Sequence, residues 1–312
     1  MIRRPLTLLL LLATALLGLP TVVRLVGDHG HRPLVLVDVV VPLLALPLLV
    51  LLGVQLLLRR TRLAAATAVL VVLNACWLVP RYWGDPVRPG EPLTVLTLNM
   101  RYGEADPFAV VDLVRRHRVD VFAAEELTPA AVDLLRGAGL DQALPHQRLL
   151  PGRGPDGSGL WSRYPLTDLP AWDTRFASPG ALVTTPGHRV VVRVVHAFPP
   201  VGAEEGRYRR DYEQITADVR ALDPATPLVL AGDFNASTDN SLLRDLLGSR
   251  LRDAAEVAGD GVQRTWAVHP GWVPLLHLDH VLVDRHLDVR GTRVLDVPGS
   301  DHDAVLARLV LV

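Results

Sequence analysis

Side chains of the kinds that bind cations and move protons recur at the ends of apolar runs in the C-terminal two thirds of this sequence. Asn99 follows Leu93–Leu98, Glu125 and Glu126 follow Val121–Ala124, and His196 follows Val190–Val195. Asp233 and Asn235 follow Leu228–Ala231, with Gly232 between; Asp279-His280 and Ser300-Asp301-His302 come last. Carboxylates and an amide offer oxygen ligands, which suit a hard cation such as Mg2+. A histidine beside a carboxylate is a tuned acid, base or charge stabiliser. A cation, an aspartate that orients water and a set of hydrogen-bond donors are what hydrolysis of a phosphate ester requires. There is no His-Glu-x-x-His motif, and Cys76 is the only cysteine, so a zinc site is poorly supported and an intrachain disulfide is excluded. The sequence has no lysine, which removes Schiff-base chemistry and the P-loop. Its all-arginine basic complement fits a GC-rich bacterial genome.

Strands and helices must hold these residues. Leu228–Ala231 reads as a buried strand, and Gly232 lets the backbone turn at its end. Asp233 and Asn235, two apart in extended chain, face one spot. An Asx-turn is the competing reading of the same residues. Ser237, Thr238 and Asp239 are candidate caps for a following helix with Leu242, Leu243, Leu246 and Leu247 on its apolar face. Strands are expected at Leu93–Leu98, Asp120–Ala124, Gly180–Thr185, His188–Val195, Leu278–Val283, His286–Val294 and Ala304–Val310. Helices are expected at Asp106–His117, Thr128–Arg136 and Gly206–Leu222, and the glycine-rich stretch Gly152–Gly159 reads as a hairpin turn. The mixture predicts two packed sheets flanked by helices, an α/β fold without strict alternation.

The first 80 residues are different. Three apolar stretches, about 5–26, 34–58 and 63–80, are each long enough to cross a bilayer. Pro42 and Pro47 would kink the second. Asp38 lies one turn inside it, and either pairs with Arg24 or snorkels to the interface. Trp77, Tyr82 and Trp83 resemble an interfacial belt. Residues 81–92, rich in proline and glycine, read as a stiff linker to a domain over 93–312. Arg3, Arg4 and the Arg59–Arg62 cluster fall on one side of the membrane. The positive-inside rule makes that side cytoplasmic and puts the C-terminal domain outside, in a multi-pass protein of the cell membrane. Residues 1–90 carry nine arginines against three acids; residues 91–312 carry 23 against 30.

The ordered set of segments resembles the endonuclease/exonuclease/phosphatase superfamily, the DNase I-like fold. The matching segments are Leu96-Thr-Leu-Asn99, Asp120 to Leu127, Gly159 to Leu166, Val194-Val-His196, Gly232-Asp-Phe-Asn235, Leu278 to Leu282 and Gly299-Ser-Asp-His302. The resemblance implies a four-layer α/β sandwich. It implies metal binding by Glu126, Asn99 and Asp301, with Mg2+ or Mn2+ as cofactor. It further implies that Asp233 activates water, that Asn235 and His196 stabilise the phosphoryl group, and that Asp279 pairs with His302 at the scissile phosphate. Glu125 stands where the family usually has Gln, and Arg101 where apurinic-type members have Asp. Arg101 could meet a substrate phosphate or form an ordinary loop salt bridge, and Arg207, Arg209 and Arg210 could grip a phosphate or form a solvated helix face.

Three apolar spans before such a domain also resemble the actinobacterial VanJ-type membrane proteins. The resulting expectation is a membrane-anchored, Mg2+-dependent phosphoesterase acting on a lipid or lipid-linked envelope substrate, with no obligate protein partner. A surface-tethered extracellular nuclease is the alternative; the acidic domain and the absence of lysine count against nucleic acid, and local arginine clustering would restore it. A non-catalytic membrane or cell-wall binding protein on this fold is a third reading.

Overall fold

The computed structural model describes residues 3–201, 204 and 206–312. The N-terminal helix α1 (Arg3–Val26) and helix α4 (Thr61–Leu78) expose leucine and valine around most of their circumference, including Leu8, Leu9, Leu16, Val69 and Val72. A helix apolar on all faces belongs in an apolar medium. Polar bonds tie the helices together: Asn74 donates to Thr21 Oγ1 at 2.8 Å, and Gln55 to Thr14 Oγ1 at 2.9 Å.

Between them lie α2 (Arg32–Asp38), a 3₁₀ turn (Val41–Leu43) and α3 (Ala45–Leu57). The stretch expected to be kinked by proline is bent by 73° between Arg32–Leu43 and Ala45–Leu57. Pro42 sits in the 3₁₀ turn, where its missing N–H ends the helical ladder. The first half packs on the C-terminal domain: Val35 of α2 shares a core with Tyr208, Phe234 and Ala236. Among the described residues two helices are thus long and apolar enough to cross a membrane, three if the bent pair is one span.

Asp38 neither pairs with Arg24 nor snorkels. It is fully buried, neither oxygen has a hydrogen-bond partner, and Arg24 instead meets Asp239 at 2.5 Å. Residues 81–90 run along the domain: Asp85 N donates to Val257 O at 2.8 Å, and Arg88 pairs with Asp288 at 2.8 Å.

The rest of the chain runs β1 (Glu91–Asn99), α5 (Pro107–Arg116), β2 (Val121–Glu125), α6 (Pro129–Ala138), α7 (Leu140–Ala143), β3 (His146–Leu150) and β4 (Ser158–Ser162). It continues with β5 (Leu166–Leu169), β6 (Gly180–Thr184), β7 (Arg189–His196), α8 (Arg207–Ala221), β8 (Leu228–Asp233), α9 (Ser241–Arg250), β9 (Arg252–Asp253) and α10 (Ala254–Ala258). Strands β10 (Asp279–Val283), β11 (Leu287–Leu295) and β12 (Ala304–Leu311) close it. Among the described residues these strands form two six-stranded sheets, β11-β12-β1-β2-β4-β3 and β5-β6-β7-β8-β10-β9.

The central strands β1, β2, β7, β8, β10 and β12 are mostly apolar because both faces of each sheet are covered there. Leu93 and Val95 of β1 meet Val229 and Ala231 of β8 between the sheets, while Leu96 and Leu98 turn out under α5 and α6. Leu228 and Leu230 turn out under α8 and α9. The result is the expected four-layer sandwich. Asp106 caps α5 and Thr128 caps α6 through their side chains.

The expected caps of α9 are corrected. Its N-cap is Asn240, which makes no side-chain cap bond. Asp28, from the loop after α1, takes that role: its carboxylate accepts from Ser241 N at 2.8 Å and Ser241 Oγ at 2.9 Å. Asp239 is turned instead toward Arg24 and Arg81.

Candidate active site

Two parallel strand pairs bring the polar residues to one end of the sandwich. β1 and β2 end in register at Asn99 opposite Glu125; β7 and β8 end at His196 opposite Asp233. β10 then lies antiparallel to β8, with Asp279 opposite Asp233. Gly232 has φ +152°, and a Cβ there would sit 1.8 Å from Val195 O, so only glycine lets β8 run this close to β7.

Glu126 follows β2 with φ +53°, a left-handed conformation that costs energy in a non-glycine residue. The turn separates the two glutamates. Glu125 points into the sandwich, fully buried, accepts from Thr97 Oγ1 at 3.0 Å, and burial pushes its carboxyl well above the usual range. Glu126 faces the opening. Its Oε1 accepts from Asn99 Nδ2 at 3.2 Å and its Oε2 from Tyr102 N at 2.9 Å. The same Asn99 amide donates to Asp233 Oδ2 at 3.1 Å, so it bridges the two carboxylates, while Asn99 Oδ1 accepts from Arg101 N at 2.9 Å. Asp301 is partly exposed, near enough to Glu126 that its charge helps burial raise the Glu126 pKa. Glu126 and Asp301 thus form a carboxylate edge open to solvent that fits a hard divalent cation, while Asn99, expected among the ligands, turns its amide nitrogen toward Glu126 and orients it.

Asp233 is at the centre. Oδ1 accepts from Asn235 N at 2.8 Å; Oδ2 lies 3.7 Å from His196 Nε2 and 3.8 Å from His302 Nε2. Burial and the nearby Asp279 raise its pKa to about 7 against the pull of His302. His302 Nδ1 meets Asp279 Oδ2 at 2.8 Å. Burial alone would lower this imidazole, but Asp279 and Asp233 outweigh it and hold it at about 10. Asp233, Asp279 and His302 lie close enough to share a metal. Because His302 keeps both protons, the arrangement is better described as an imidazolium held between two carboxylates. His196 Nδ1 lies 3.1 Å from Pro155 O, which can only accept, so Nδ1 carries the proton and Nε2 is bare. Burial and the His302 charge lower its pKa to about 4, leaving it neutral. Asn235, at φ +49°, gives one amide proton to Ala197 O at 3.0 Å and keeps one for the opening.

All eight candidate residues therefore gather at one end of the sandwich. Four further groups support the site; of these only Ser300 belonged to a polar cluster singled out in the sequence. Thr265 Oγ1 accepts from Leu278 N and Asp279 N, each at 3.1 Å; Ser300 Oγ donates to Asn99 O at 2.7 Å and accepts from His302 N at 3.0 Å. Pro155 belongs to the 152–159 hairpin, and Thr97 stands behind Glu125. Arg101 pairs with Glu104 at 2.6 Å and lies 3.8 Å from Asp301; Arg207 pairs with Asp211 and Arg209 with Glu213.

A second buried group holds Asp253, His277 and His280. His280 Nδ1 meets Asp253 at 2.7 Å and Nε2 meets Ala236 O at 2.9 Å. Both partners accept, so His280 is a buried cation rather than a metal ligand.

The sequence matches the model of the Endonuclease/Exonuclease/phosphatase family over residues 96–302. Solved structures share the fold. A family protein from Bacteroides thetaiotaomicron is 16% identical, with TM-score 0.52 over 72% of this chain and 100% of that one. D. rerio TDP2 complexed with single strand DNA product is 15% identical, with TM-score 0.58 over 70% and 99%. The human Nocturnin catalytic domain with bound sulfate is 17% identical, with TM-score 0.53 over 75% and 99%. No curated protein matches the sequence. On its family match, its two-sheet sandwich and the ordered residues at one end of it, this chain belongs to the endonuclease/exonuclease/phosphatase family, whose members hydrolyse phosphate esters.

Proposed function

We propose that this chain is a membrane-anchored, divalent-metal-dependent phosphoesterase that hydrolyses a phosphate ester of a lipid or lipid-linked envelope precursor at the outer face of the membrane. Residues 1–80 form its membrane domain and 93–312 its catalytic domain, joined by 81–92, with the N-terminus cytoplasmic. The observation that carries the reading is the gathering of Asp233, Asp279, His302, His196 and Asn235 beside the open Glu126–Asp301 edge, in a chain whose apolar helices dock on the same domain.

Glu126 and Asp301 would hold the cation, Mg2+ or Mn2+, with Asn99 orienting Glu126. When bound, such a cation polarises a phosphoryl oxygen and offsets charge on the leaving oxygen. Asp233, with a pKa near neutrality, aligns a water and accepts its proton. His302, fixed by Asp279, presents Nε2–H to a phosphoryl oxygen and keeps its proton through the reaction. Asn235 offers its free amide proton. His196 donates only after taking up a second proton, which an arriving phosphate dianion favours electrostatically.

The test is phosphate release and diester cleavage by the full chain in nanodiscs, with and without Mg2+ or Mn2+, against polyprenyl pyrophosphate, phospholipids and plasmid DNA. Metal-dependent turnover of a lipid phosphate, lost in Asp233→Ala and His302→Ala, is the expected result. Cleavage of DNA alone would replace this reading with a surface-tethered nuclease. No turnover of any phosphoester would favour a binding role. A reporter fused at the C-terminus tests the orientation, and a cytoplasmic signal would overturn it.

A further inference from the structure

Residues 266–276, Trp-Ala-Val-His-Pro-Gly-Trp-Val-Pro-Leu-Leu, contain no acidic residue and no arginine. They form a hairpin whose legs are fastened to the site. Trp266 bridges to His302, and Ala267 N donates to Asp301 O at 2.9 Å. The returning leg, closed by Leu275 N to Trp266 O at 2.7 Å, leads directly into Asp279. The tip stands in solvent: Val268, Trp272, Val273 and Leu275 are 48%, 63%, 75% and 45% exposed. His269 supports the Trp272 ring edge-on at 5.0 Å. Tyr102, whose N–H holds Glu126, is also more than half exposed.

A contiguous uncharged patch held open at the rim of a charged site marks a place where something apolar binds. We infer that the hairpin tip is the subsite for the hydrocarbon chain of the substrate. The chain lies along Val268, Trp272, Val273 and Leu275 while its phosphate enters between Asp233, His302 and the Glu126–Asp301 edge. This rests on the phosphoesterase reading above and narrows it: the ester that is cut lies next to a long alkyl or isoprenyl chain. Base stacking on Trp272 is the competing use of an exposed tryptophan. A strand of nucleic acid also needs cations along its backbone; this hairpin has no arginine, and three of its five exposed side chains are aliphatic, the other two being Trp272 and His269.

The experiment compares the full chain in nanodiscs with a Trp272→Ser/Val273→Ser variant, both altered side chains being exposed. The substrates are a long-chain alkyl phosphate and its ethyl counterpart. The variant is expected to lower the long-over-short ratio of kcat/KM about tenfold or more, through KM, as burial of two apolar side chains against a chain implies. A readout independent of turnover uses Asp233→Ala protein with and without Trp272→Phe. A brominated-chain alkyl phosphate is expected to quench tryptophan emission by a share that disappears with Trp272. That quenching without any turnover would uphold the subsite while removing the phosphoesterase reading. An unchanged ratio with no Trp272-dependent quenching overturns the subsite. Loss of single-stranded DNA binding in the variant, with no effect on the alkyl phosphate, also overturns it and assigns the hairpin to base stacking.

Discussion

The strand–helix–strand units β1-α5-β2 and β7-α8-β8 are built alike and used differently. Each has two parallel strands and a helix on the outer face, and each ends in a pair of polar residues in register. In the second unit the pair itself, His196 and Asp233, faces the site. In the first unit only Asn99 does. Its partner Glu125 turns into the core, and Glu126, one residue beyond the strand, reaches the opening through a left-handed turn. Their outer faces differ as well. The first unit leaves Phe108 of α5 exposed, and α6 after it leaves Leu134 exposed, whereas the second accepts Val35 of α2 into its core and is followed by α9, which takes Asp28 at its start. The unit that carries Asp233 is thus the one to which the apolar helices are fastened. A loop that positions a proton acceptor gains most from being held at both ends.

Breaking the two site carboxylates separates their jobs. Asp233→Asn should lower turnover on the order of 10²–10⁴-fold at any metal concentration, as loss of a general base does. Glu126→Gln should act through the cation instead, and raising the metal concentration should restore part of its activity. A metal titration of both variants checks this, and identical titration curves would refute the division.

The fastening is tested by Asp239→Asn. Asp239 is fully buried between Arg24 at 2.5 Å and Arg81 at 2.8 Å. Removing its charge leaves the largely buried Arg24 guanidinium without this carboxylate and Arg81 with Glu256 alone, at a cost of about 3–5 kcal/mol. Thermal unfolding of the full chain should show it, together with lower activity from the 233–240 loop.

A smaller, pH-dependent effect is expected from Asp253→Asn, behind the second unit. Burial would raise Asp253, but its bond to His280 outweighs this and holds it at about 2. Burial would lower His280, but Asp253 outweighs it and holds it above its ordinary 6.5. His277, stacked on the His280 ring at 4.1 Å, is pushed by burial down to about 3 and stays neutral. The depressed carboxyl stabilises the fold above its unfolded value of 3.8 and loses that as pH falls toward 2. The raised imidazole stabilises it below 6.5 and loses that as pH rises through its folded pKa. The melting-temperature gap between wild type and variant should therefore be widest between these two values and narrow on both sides.

The smallest effect belongs to the first unit. Burial pushes the Glu125 carboxyl well above the usual range, toward its neutral form, and Glu125→Gln keeps a neutral group that can still accept from Thr97. Stability should change by less than about 1 kcal/mol. A larger loss would mean that the carboxyl is charged.

Part of the site was legible because Asn99, Glu125-Glu126, His196 and Asp233 come at the ends of apolar runs. Asp233 after Leu228–Ala231 and His196 after Val190–Val195 are placed by strand periodicity alone. Three features were not. Which of Glu125 and Glu126 faces the opening depends on a single left-handed φ. The state of His196 depends on Pro155, 41 residues away in another loop. Thr265 supports Asp279 from a segment with no strand or helix signal.

The sequence by itself determined the strands, their polar ends, the oxygen-rich chemistry and the apolar N-terminal helices, because these follow from local patterning. Tertiary structure alone decided that α2 enters the core of the second unit, that Asp28 and not Ser237, Thr238 or Asp239 caps α9, and that Asp38 is buried beside the junction. Each depends on groups some 200 residues apart meeting in space. The free energy of burying Val35 and of satisfying the first N–H groups of α9 becomes available only once the two ends of the chain have packed together.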